Sequence, residues 1–304
     1  MRLDSRQLTA FVAVLREGSF EAAARSLHLT PSAVSQRIKG LEERLGRVLI
    51  QRGAPCVATP AGQALQRHAQ QLALLEAQAL EPFGFAGDPA RGGHAAAALP
   101  MAIAVNADSL ATWFVPALAA LRERHALAFD LHVEDQDHSS ELLRQGRVMA
   151  AVTADPRPVQ GCRVERLGVM RYLAVASPAY VDRHFAAGID VAALARAPVN
   201  TYNAKDALQA RFLRSLSRRR LDPPVHRVPG THGHVHAAVH GLGWGLDPRA
   251  LVQGLLDAGE LVEPWPGRSL DVVLHWQHWR LEAAPLQALT QCVRDAARAG
   301  LDGP

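Results

Sequence analysis

The sequence predicts an α/β protein with an all-α-rich N-terminal module, one long linking helix and a C-terminal α/β domain large enough for two lobes. Three observations predict this class. Apolar residues recur at helical spacing through residues 5–80. A stretch rich in Gly, Ala and Pro, without periodicity, occupies residues 84–98. Beyond it, short apolar runs alternate with helical patterns, which is typical of α/β units.

The first helices are marked by apolar spacing and by a cap. A first helix is indicated by four apolar residues at helical spacing: Leu8, Phe11, Val12 and Leu15. A second helix begins after Ser19, whose hydroxyl can accept from a free backbone N–H. Its packing face is small and apolar: Ala22, Ala23 and Leu27.

The third helix has a defined start, an apolar stripe and a stop. Thr30 is a good N-cap, and Pro31 suits the first helical position because its missing N–H costs nothing there. The apolar stripe consists of Val34, Ile38, Leu41 and Leu45, and Gly46 ends the helix. Two short helices joined by a tight turn predict a helix-turn-helix, whose second helix enters the major groove of duplex operator DNA.

The polar face of this third helix supplies the candidate DNA contacts. Its side chains can donate to phosphates and base edges near a helix N-terminus. The predicted contacts are Thr30, Pro31, Ser32, Ala33, Ser35, Gln36, Arg37 and Lys39, with Arg52 contacting the backbone from the following segment. The alternative is an ordinary solvated pair of amphipathic helices.

Residues 48–59 are long enough for a small hairpin, which makes residues 1–62 a winged helix-turn-helix domain. Residues 60–81 are strongly helical, and apolar positions alternate at spacings of three and four: Leu65, His68, Leu72, Leu75 and Ala79. Such a seam predicts pairing of two copies, and the alternative is packing on its own domain. Residues 63–97 are therefore assigned to a dimerisation helix and hinge.

Charge distribution, hydropathy and cysteine content limit the classes of protein to which the chain can belong. Residues 1–62 carry nine Lys and Arg but five Asp and Glu, so the formal charge of +4 of the chain falls there, where phosphate contacts would use it. No apolar run reaches membrane-spanning length and no signal peptide pattern is present, so a cytoplasmic protein without membrane contact is expected. Three widely spaced cysteines favour neither disulfides nor a thiolate metal site.

The remaining residues, 98–304, predict a mostly parallel sheet in two lobes with a cleft between them. Predicted strands are 101–105, 129–133, 148–153 and 172–177, and predicted helices are 108–124 and 139–145. A late aromatic segment, 275–279, predicts a buried return strand.

Polar side chains follow two of these strands. Asn106, Asp108 and Ser109 open a helix, whose N-terminus favours the carboxylate of an α-amino acid. Three acids, Glu134, Asp135 and Asp137, follow the next strand and would pair with a cationic ligand. The alternatives are plain helix capping for the first group and an exposed acidic turn for the second.

The second lobe offers further candidates at a strand-to-helix junction that would face the cleft: Thr201, Tyr202, Asn203 and Asp206. A histidine-rich run, 226–240, places Thr231 and His232 at the mouth of this lobe. Histidines four apart can bind zinc, but the run has no H-E-x-x-H arrangement, so no metal site is assigned. No nucleophile elbow, Walker loop or dinucleotide fingerprint is present, and the chain is not expected to be an enzyme.

At this point the chain resembles the LysR-type transcriptional regulators. The residues that match the family pattern are Ser19-Phe20, Ala22-Ala23, Leu27, Ser35, Ile38, Leu41-Glu42 and Leu45-Gly46. The chain departs from the family's usual wing at Ile50 and Ala58, and both changes are conservative. The resemblance covers the whole length. It implies a dimerising linker helix and a two-lobed, periplasmic-binding-protein-like effector domain over 98–304. Lobe I is assigned to about 98–170 and 268–304, and lobe II to about 171–267.

A narrower resemblance comes from residues 104–118, 131–153 and 202–213, which look like the ArgP/LysG branch of the family. It implies a regulator that senses lysine or arginine in the cleft and controls a basic amino-acid exporter gene. It also implies a homodimer or homotetramer, no cofactor, and RNA polymerase as a further partner. The alternatives are a regulator of the same fold for another small metabolite, and a solute-binding protein or enzyme with this two-lobed domain. The N-terminal module argues against the second.

Overall fold

The computed structural model describes residues 3–80, 99–123, 127–135 and 139–303. The N-terminal module has three helices and a two-stranded antiparallel hairpin, as the sequence predicts. Its elements are α1 Ser5–Glu17, α2 Phe20–Ser26, α3 Pro31–Leu45, β1 Ile50–Gln51 and β2 Val57–Ala58. The winged helix-turn-helix is therefore confirmed.

The predicted caps form. The Ser19 hydroxyl accepts from the Ala22 N–H at 3.1 Å, and the Thr30 hydroxyl accepts from the Ala33 N–H at 3.2 Å. Gly46 ends α3 with φ at +64°, in the left-handed region that glycine adopts without strain. The starts of α2 and α3 and the end of α3 are therefore determined by cap residues that can be recognised in the sequence.

Burial of one face of α3 leaves the opposite face to solvent. Val34, Ile38 and Leu41 are fully buried against α1 and α2, where Phe11 and Ala23 are buried as well. A helix with a single apolar stripe is fixed by that stripe. The polar face of α3 is thereby held outward.

The wing is tied to α3 and to the long helix α4, Pro60–Leu80. The Glu42 carboxylate accepts from the backbone N–H groups of Leu49 and Ile50 at 2.8 and 3.3 Å. The Thr59 hydroxyl accepts from the Gly62 N–H at 3.1 Å at the start of α4. A side chain at Gly62 would meet the Leu49 carbonyl oxygen at 2.0 Å, so only glycine allows this approach.

The long helix packs on both halves of its own chain. Leu65 is buried in the core of the N-terminal module, and Leu74 is buried in the core of the C-terminal domain. The Arg67 guanidinium donates to the Arg144 carbonyl at 2.6 Å. Of the predicted pairing seam, His68, Leu75 and Ala79 are exposed. One side of α4 thus packs on its own chain, as the alternative held, and another remains open to a partner.

The C-terminal domain is built on a six-stranded sheet in the order β4-β3-β5-β10-β6-β9. Its strands are β3 Leu99–Val105, β4 Leu127–Val133, β5 Ala150–Thr153, β6 Cys162–Val175, β9 Gly245–Pro248 and β10 Ser269–Trp279. A separate parallel pair is formed by β7 Val199–Thr201 and β8 Val225–Arg227.

The expectation of a mostly parallel sheet is wrong. Strand β3 pairs in parallel with β4 and β5, but β10 with β5, β10 with β6 and β6 with β9 are antiparallel. The run predicted at 172–177 is the end of the 14-residue strand β6, which pairs with the return strand β10 along its length. Antiparallel partners need no crossover helix between them, so the alternation of elements does not reveal them.

Helices cover the sheet and form the rest of the two lobes. They are α5 Ala107–Ser109, a π-helical turn Leu110–Phe114, α6 Val115–Arg122, α7 Ser139–Arg144, α8 Pro178–Phe185, α9 Val191–Arg196, α10 Leu208–Leu216, α11 Thr231–Val239, α12 Arg249–Asp257 and α13 Ala284–Gly300. The helix predicted at 108–124 thus exists with a π turn inside it, and its predicted last residue lies outside the described ranges. None of the described helices is long and apolar enough to cross a membrane.

The predicted aromatic return strand is buried, as expected. Trp276 and Trp279 in β10 are almost inaccessible, and Trp276 packs against Phe114 with 6.2 Å between ring centroids. In the other lobe, Trp244 packs on Trp265 at 5.0 Å and on Phe212 at 5.9 Å. Both groups of aromatic rings belong to the core of the C-terminal domain.

Candidate ligand cleft and nucleic-acid interface

A cavity of about 120 Å³ lies at the carboxyl ends of the neighbouring parallel strands β3 and β4. Residues 106–108 follow β3, and residues 134 and 135 follow β4. The facing wall comes from the loop after β7, the first turn of α11 and strand β9. Ligands of α/β sheets bind at this edge. The cavity thus lies between the lobes, where the sequence places its candidates.

The cavity brings together eight of the twelve predicted ligand contacts: Asn106, Asp108, Glu134, Asp135, Tyr202, Asn203, Asp206 and Thr231. Three others lie outside its lining. Ser109 and Thr201 are buried elsewhere, and His232 is exposed on the outer side of α11. Asp137 lies outside the described residues.

Asp108 connects the two lobes. Its Oδ2 accepts from the Tyr172 hydroxyl at 2.7 Å, and its Oδ1 accepts from the Thr231 hydroxyl, on α11, at 2.8 Å. Burial raises the pKa of Asp108 above its ordinary value, and the two hydrogen bonds oppose that rise. Asp108 is thus engaged across the cleft, and the capping interpretation of this residue is wrong.

The sequence missed a buried ion pair in the same cavity. His234 Nδ1 lies 2.8 Å from Asp247 Oδ1, and both side chains are almost inaccessible. A side chain at Gly245 would meet the His234 ring at 2.5 Å, so a glycine is needed beside it. Helical spacing could have identified His234. It lies three residues after Thr231 and therefore on the same face of the helix, whereas His232 does not.

Several polar atoms of the lining have no partner within the described parts of the chain. Both amide atoms of Asn106, which is 2% exposed, lack a hydrogen bond. So does Oδ2 of Asp247. Buried polar atoms without partners are uncommon in folded proteins and mark places where a ligand or water binds. A polar ligand or water in this cavity would supply the missing hydrogen bonds.

The lining is strongly acidic. Five carboxylates belong to it: Asp108, Glu134, Asp135, Asp206 and Asp247. The Asp206 carboxylate accepts from the backbone N–H groups of Tyr202 and Leu208 at 2.9 and 3.0 Å. The Glu134 carboxylate lies 3.7 Å from Lys205 Nζ, across the cleft. An excess of negative charge in a recess favours a cationic ligand.

The candidate DNA contacts line one outer surface of the N-terminal module. Thr30, Pro31, Ser32, Gln36 and Lys39 are exposed, and the remaining α3 candidates, Ala33, Ser35 and Arg37, are half-buried. Lys39 Nζ lies 3.7 Å from a Glu43 carboxylate oxygen. The free N-terminus of α3 adds a partial positive charge to this surface. It is a suitable surface for phosphates and base edges.

Arg52 is held in place by an aromatic ring. Its guanidinium carbon lies 4.7 Å from the centroid of the Phe20 ring, at the start of α2. A cation over an aromatic face is attracted to it, which limits the side chain's freedom. The exposed Arg52 guanidinium is thus positioned over the first residue of α2.

Two rings of the histidine run lie close to each other. His236 and His240 lie with ring centroids 5.5 Å apart. Among the residues that the structure describes, no three His, Cys, Asp or Glu side chains are grouped as metal ligands. The three cysteines are free and buried.

The His234–Asp247 pair predicts a pH-dependent stability. Burial alone lowers the pKa of His234, but the Asp247 carboxylate outweighs it and raises the pKa from 6.5 to about 9. The pair's contribution is complete below pH 6.5 and is lost as the pH rises through about 9. We expect the free energy of unfolding of the C-terminal domain to fall over this range by up to about 3 kcal/mol.

Urea denaturation between pH 6 and pH 9.5 measures this dependence. The variant His234→Asn should be less stable at pH 6 and should show a flatter pH profile. The control His232→Asn, on the exposed side of the same helix, should keep the wild-type profile. A wild-type profile in His234→Asn would show that this pair does not set the pH dependence.

Comparison with known proteins matches both parts of the chain. The profile of the lysR family of bacterial regulatory helix-turn-helix proteins matches residues 5–63. The profile of the LysR substrate binding domain matches residues 99–298. Together these matches cover the module and the two-lobed domain described above.

Similar full-length proteins are also known. The HTH-type transcriptional regulator LysG of Mycobacterium tuberculosis is 47% identical over 97% of this chain and 94% of its own. The lysine export transcriptional regulatory protein LysG of Corynebacterium glutamicum is 41% identical over 97% of this chain and 98% of its own. A structure of full-length C. glutamicum LysG with the effector Arg bound aligns with a TM-score of 0.75 at 38% identity, covering 99% and 100% of the two chains.

Proposed function

Because the chain belongs to the LysR family of bacterial transcriptional regulators, we propose that it senses a basic amino acid, lysine or arginine, and controls a gene for a basic amino-acid exporter. It is a DNA-binding regulator rather than an enzyme. The exporter role follows the lysine export regulator of C. glutamicum. The effector role follows the arginine in the similar LysG structure.

The acidic, partly unsatisfied cavity is the single observation that carries the effector proposal. A basic amino acid brings a cationic side chain and an α-ammonium group, and both need acidic partners when they leave water. Glu134 and Asp135 offer carboxylates in lobe I, and Asp247 has a free carboxylate oxygen. The unpartnered amide of Asn106 can bond to the α-carboxylate or the α-ammonium group. A cationic ligand is favoured over a neutral or anionic one because it offsets the excess negative charge of the lining.

The cavity also suggests how the signal is passed on. Asp108 already bridges the lobes, so a ligand beside it favours one angle between them. Helix α4 carries this change because it packs on both halves, through Leu65 and Leu74. The two DNA-binding modules of a dimer would then change their spacing on the operator. The effector thus changes the populations of the lobe arrangements and undergoes no chemical reaction.

On DNA, we propose that α3 lies in the major groove and that Arg52 contacts the sugar-phosphate backbone. Palindromic sites require two modules, and the exposed His68, Leu75 and Ala79 of α4 offer the surface for pairing in a homodimer or homotetramer. Contact with RNA polymerase stays a prediction of the family resemblance.

The effector assignment can be measured by calorimetric titration of the full-length protein with arginine and with lysine. We expect Glu134→Gln to weaken binding of both by about tenfold or more, since a charged partner of the ligand cation is lost. The matched control Glu260→Gln, exposed in lobe II, should bind as the wild type does. Wild-type affinity in Glu134→Gln would remove Glu134 from the site. Wild-type protein that binds neither amino acid would favour another metabolite.

The DNA assignment is tested by comparing operator DNA with random DNA of equal length. We expect Gln36→Ala to cost about 1–3 kcal/mol on the operator, because a base-edge contact is lost, and to leave binding to random DNA unchanged. The control Gln160→Ala, exposed in the C-terminal domain, should change neither. Equal operator affinity in Gln36→Ala and the wild type would remove Gln36 from the readout.

A further inference from the structure

We infer that Lys205 recognises the α-carboxylate of the ligand, and that in the free protein its ammonium group is kept on Glu134. This inference rests on the proposed function and adds the residue that makes a free α-carboxylate a requirement for binding. It identifies the ligand class as amino acids with a cationic side chain, as distinct from the corresponding amines.

The charge balance of the cavity calls for such a group. Five carboxylates line the cavity, so a ligand carboxylate that enters it meets repulsion unless a cation or several donors accompany it. The cationic His234 is already held by Asp247 at 2.8 Å. Lys205 brings a second charged nitrogen to the rim, 3.7 Å from the Glu134 carboxylate. It is therefore well placed to neutralise an incoming carboxylate.

The contact between Lys205 and Glu134 crosses the cleft and is easily exchanged. Glu134 follows β4 in lobe I, whereas Lys205 lies in the loop after β7 in lobe II. Their side chains are 34% and 57% exposed, and exposed ion pairs contribute little because water solvates both partners. The cationic side chain of the ligand can replace Lys205 as the partner of Glu134. The released ammonium group of Lys205 can then pair with the α-carboxylate of the ligand.

The loop presents Lys205 on a fixed backbone. The Asn203 Oδ1 atom accepts from the Lys205 N–H at 2.7 Å and from the Asp206 N–H at 3.1 Å. The Asp206 carboxylate in turn accepts from the N–H groups of Tyr202 and Leu208. Only the flexible lysine stem has to move between the two partners, and its ammonium can donate in several directions.

Decarboxylated ligands test this assignment directly. Agmatine and cadaverine keep the side-chain cation of arginine and lysine but lack the carboxylate. In calorimetric titrations of the full-length protein, we expect the wild type to bind arginine at least about tenfold tighter than agmatine. Lys205→Met removes the ammonium group and keeps an unbranched apolar side chain that is one atom shorter. We expect it to lose about tenfold for arginine and less than about twofold for agmatine.

Two further variants complete the experiment. Lys205→Arg keeps the charge and should retain the preference for arginine. Arg196→Met removes an exposed cation at the end of α9 and should bind both ligands as the wild type does. If Lys205→Met weakens arginine and agmatine equally, or binds arginine more tightly than the wild type, the inference is wrong while the proposed function stands. If the wild type binds neither arginine nor lysine, the proposed function itself fails.

Discussion

A carboxylate that is buried between two lobes must be fully hydrogen-bonded, and this condition decides how the lobes of the effector domain meet at Asp108. One oxygen of Asp108 accepts from Tyr172 in strand β6, and the other accepts from Thr231 at the start of α11. Loss of either donor would leave a buried charge short of a partner, which is costly. The orientation of α11 follows from this contact, and so does the position of His234 one turn along.

Contacts of the wing and of α4 connect the DNA-binding module to the domain that contains the cleft. Glu42 holds the wing against α3, and Thr59 caps α4 directly after the wing. The other end of α4 is buried in the effector domain through Leu74. The helix that carries the reading module is thus packed on the lobe that carries Asn106 and Asp108. In the proposed mechanism, a change of lobe angle would reach the DNA-binding module through α4, along which two copies would pair.

The sequence predicts those parts of the molecule that depend on neighbours in the chain. Ser19 and Thr30 cap their helices, and residues after β3 and β4 converge, because each rests on a local signal plus one rule of sheet geometry. The antiparallel pairing of β6 with β10 joins segments about a hundred residues apart in the chain, and no local pattern encodes such a partner. The sequence pattern points to His232 because it does not show which of the two histidines lies on the same face of α11 as Thr231. Asp247 was missed because a lone acid in a buried strand has no periodic signature.

The proposed function requires that the cleft binds its ligand with both lobes joined through Asp108. The most direct test is the affinity of Thr231→Val for arginine, measured by calorimetry on the full-length protein. This change removes only the cross-lobe donor and keeps the shape of the side chain. Our account predicts binding weaker by about tenfold, since one oxygen of a buried carboxylate loses its partner in the closed cleft. Affinity equal to that of the wild type, with an equally stable protein, would contradict it.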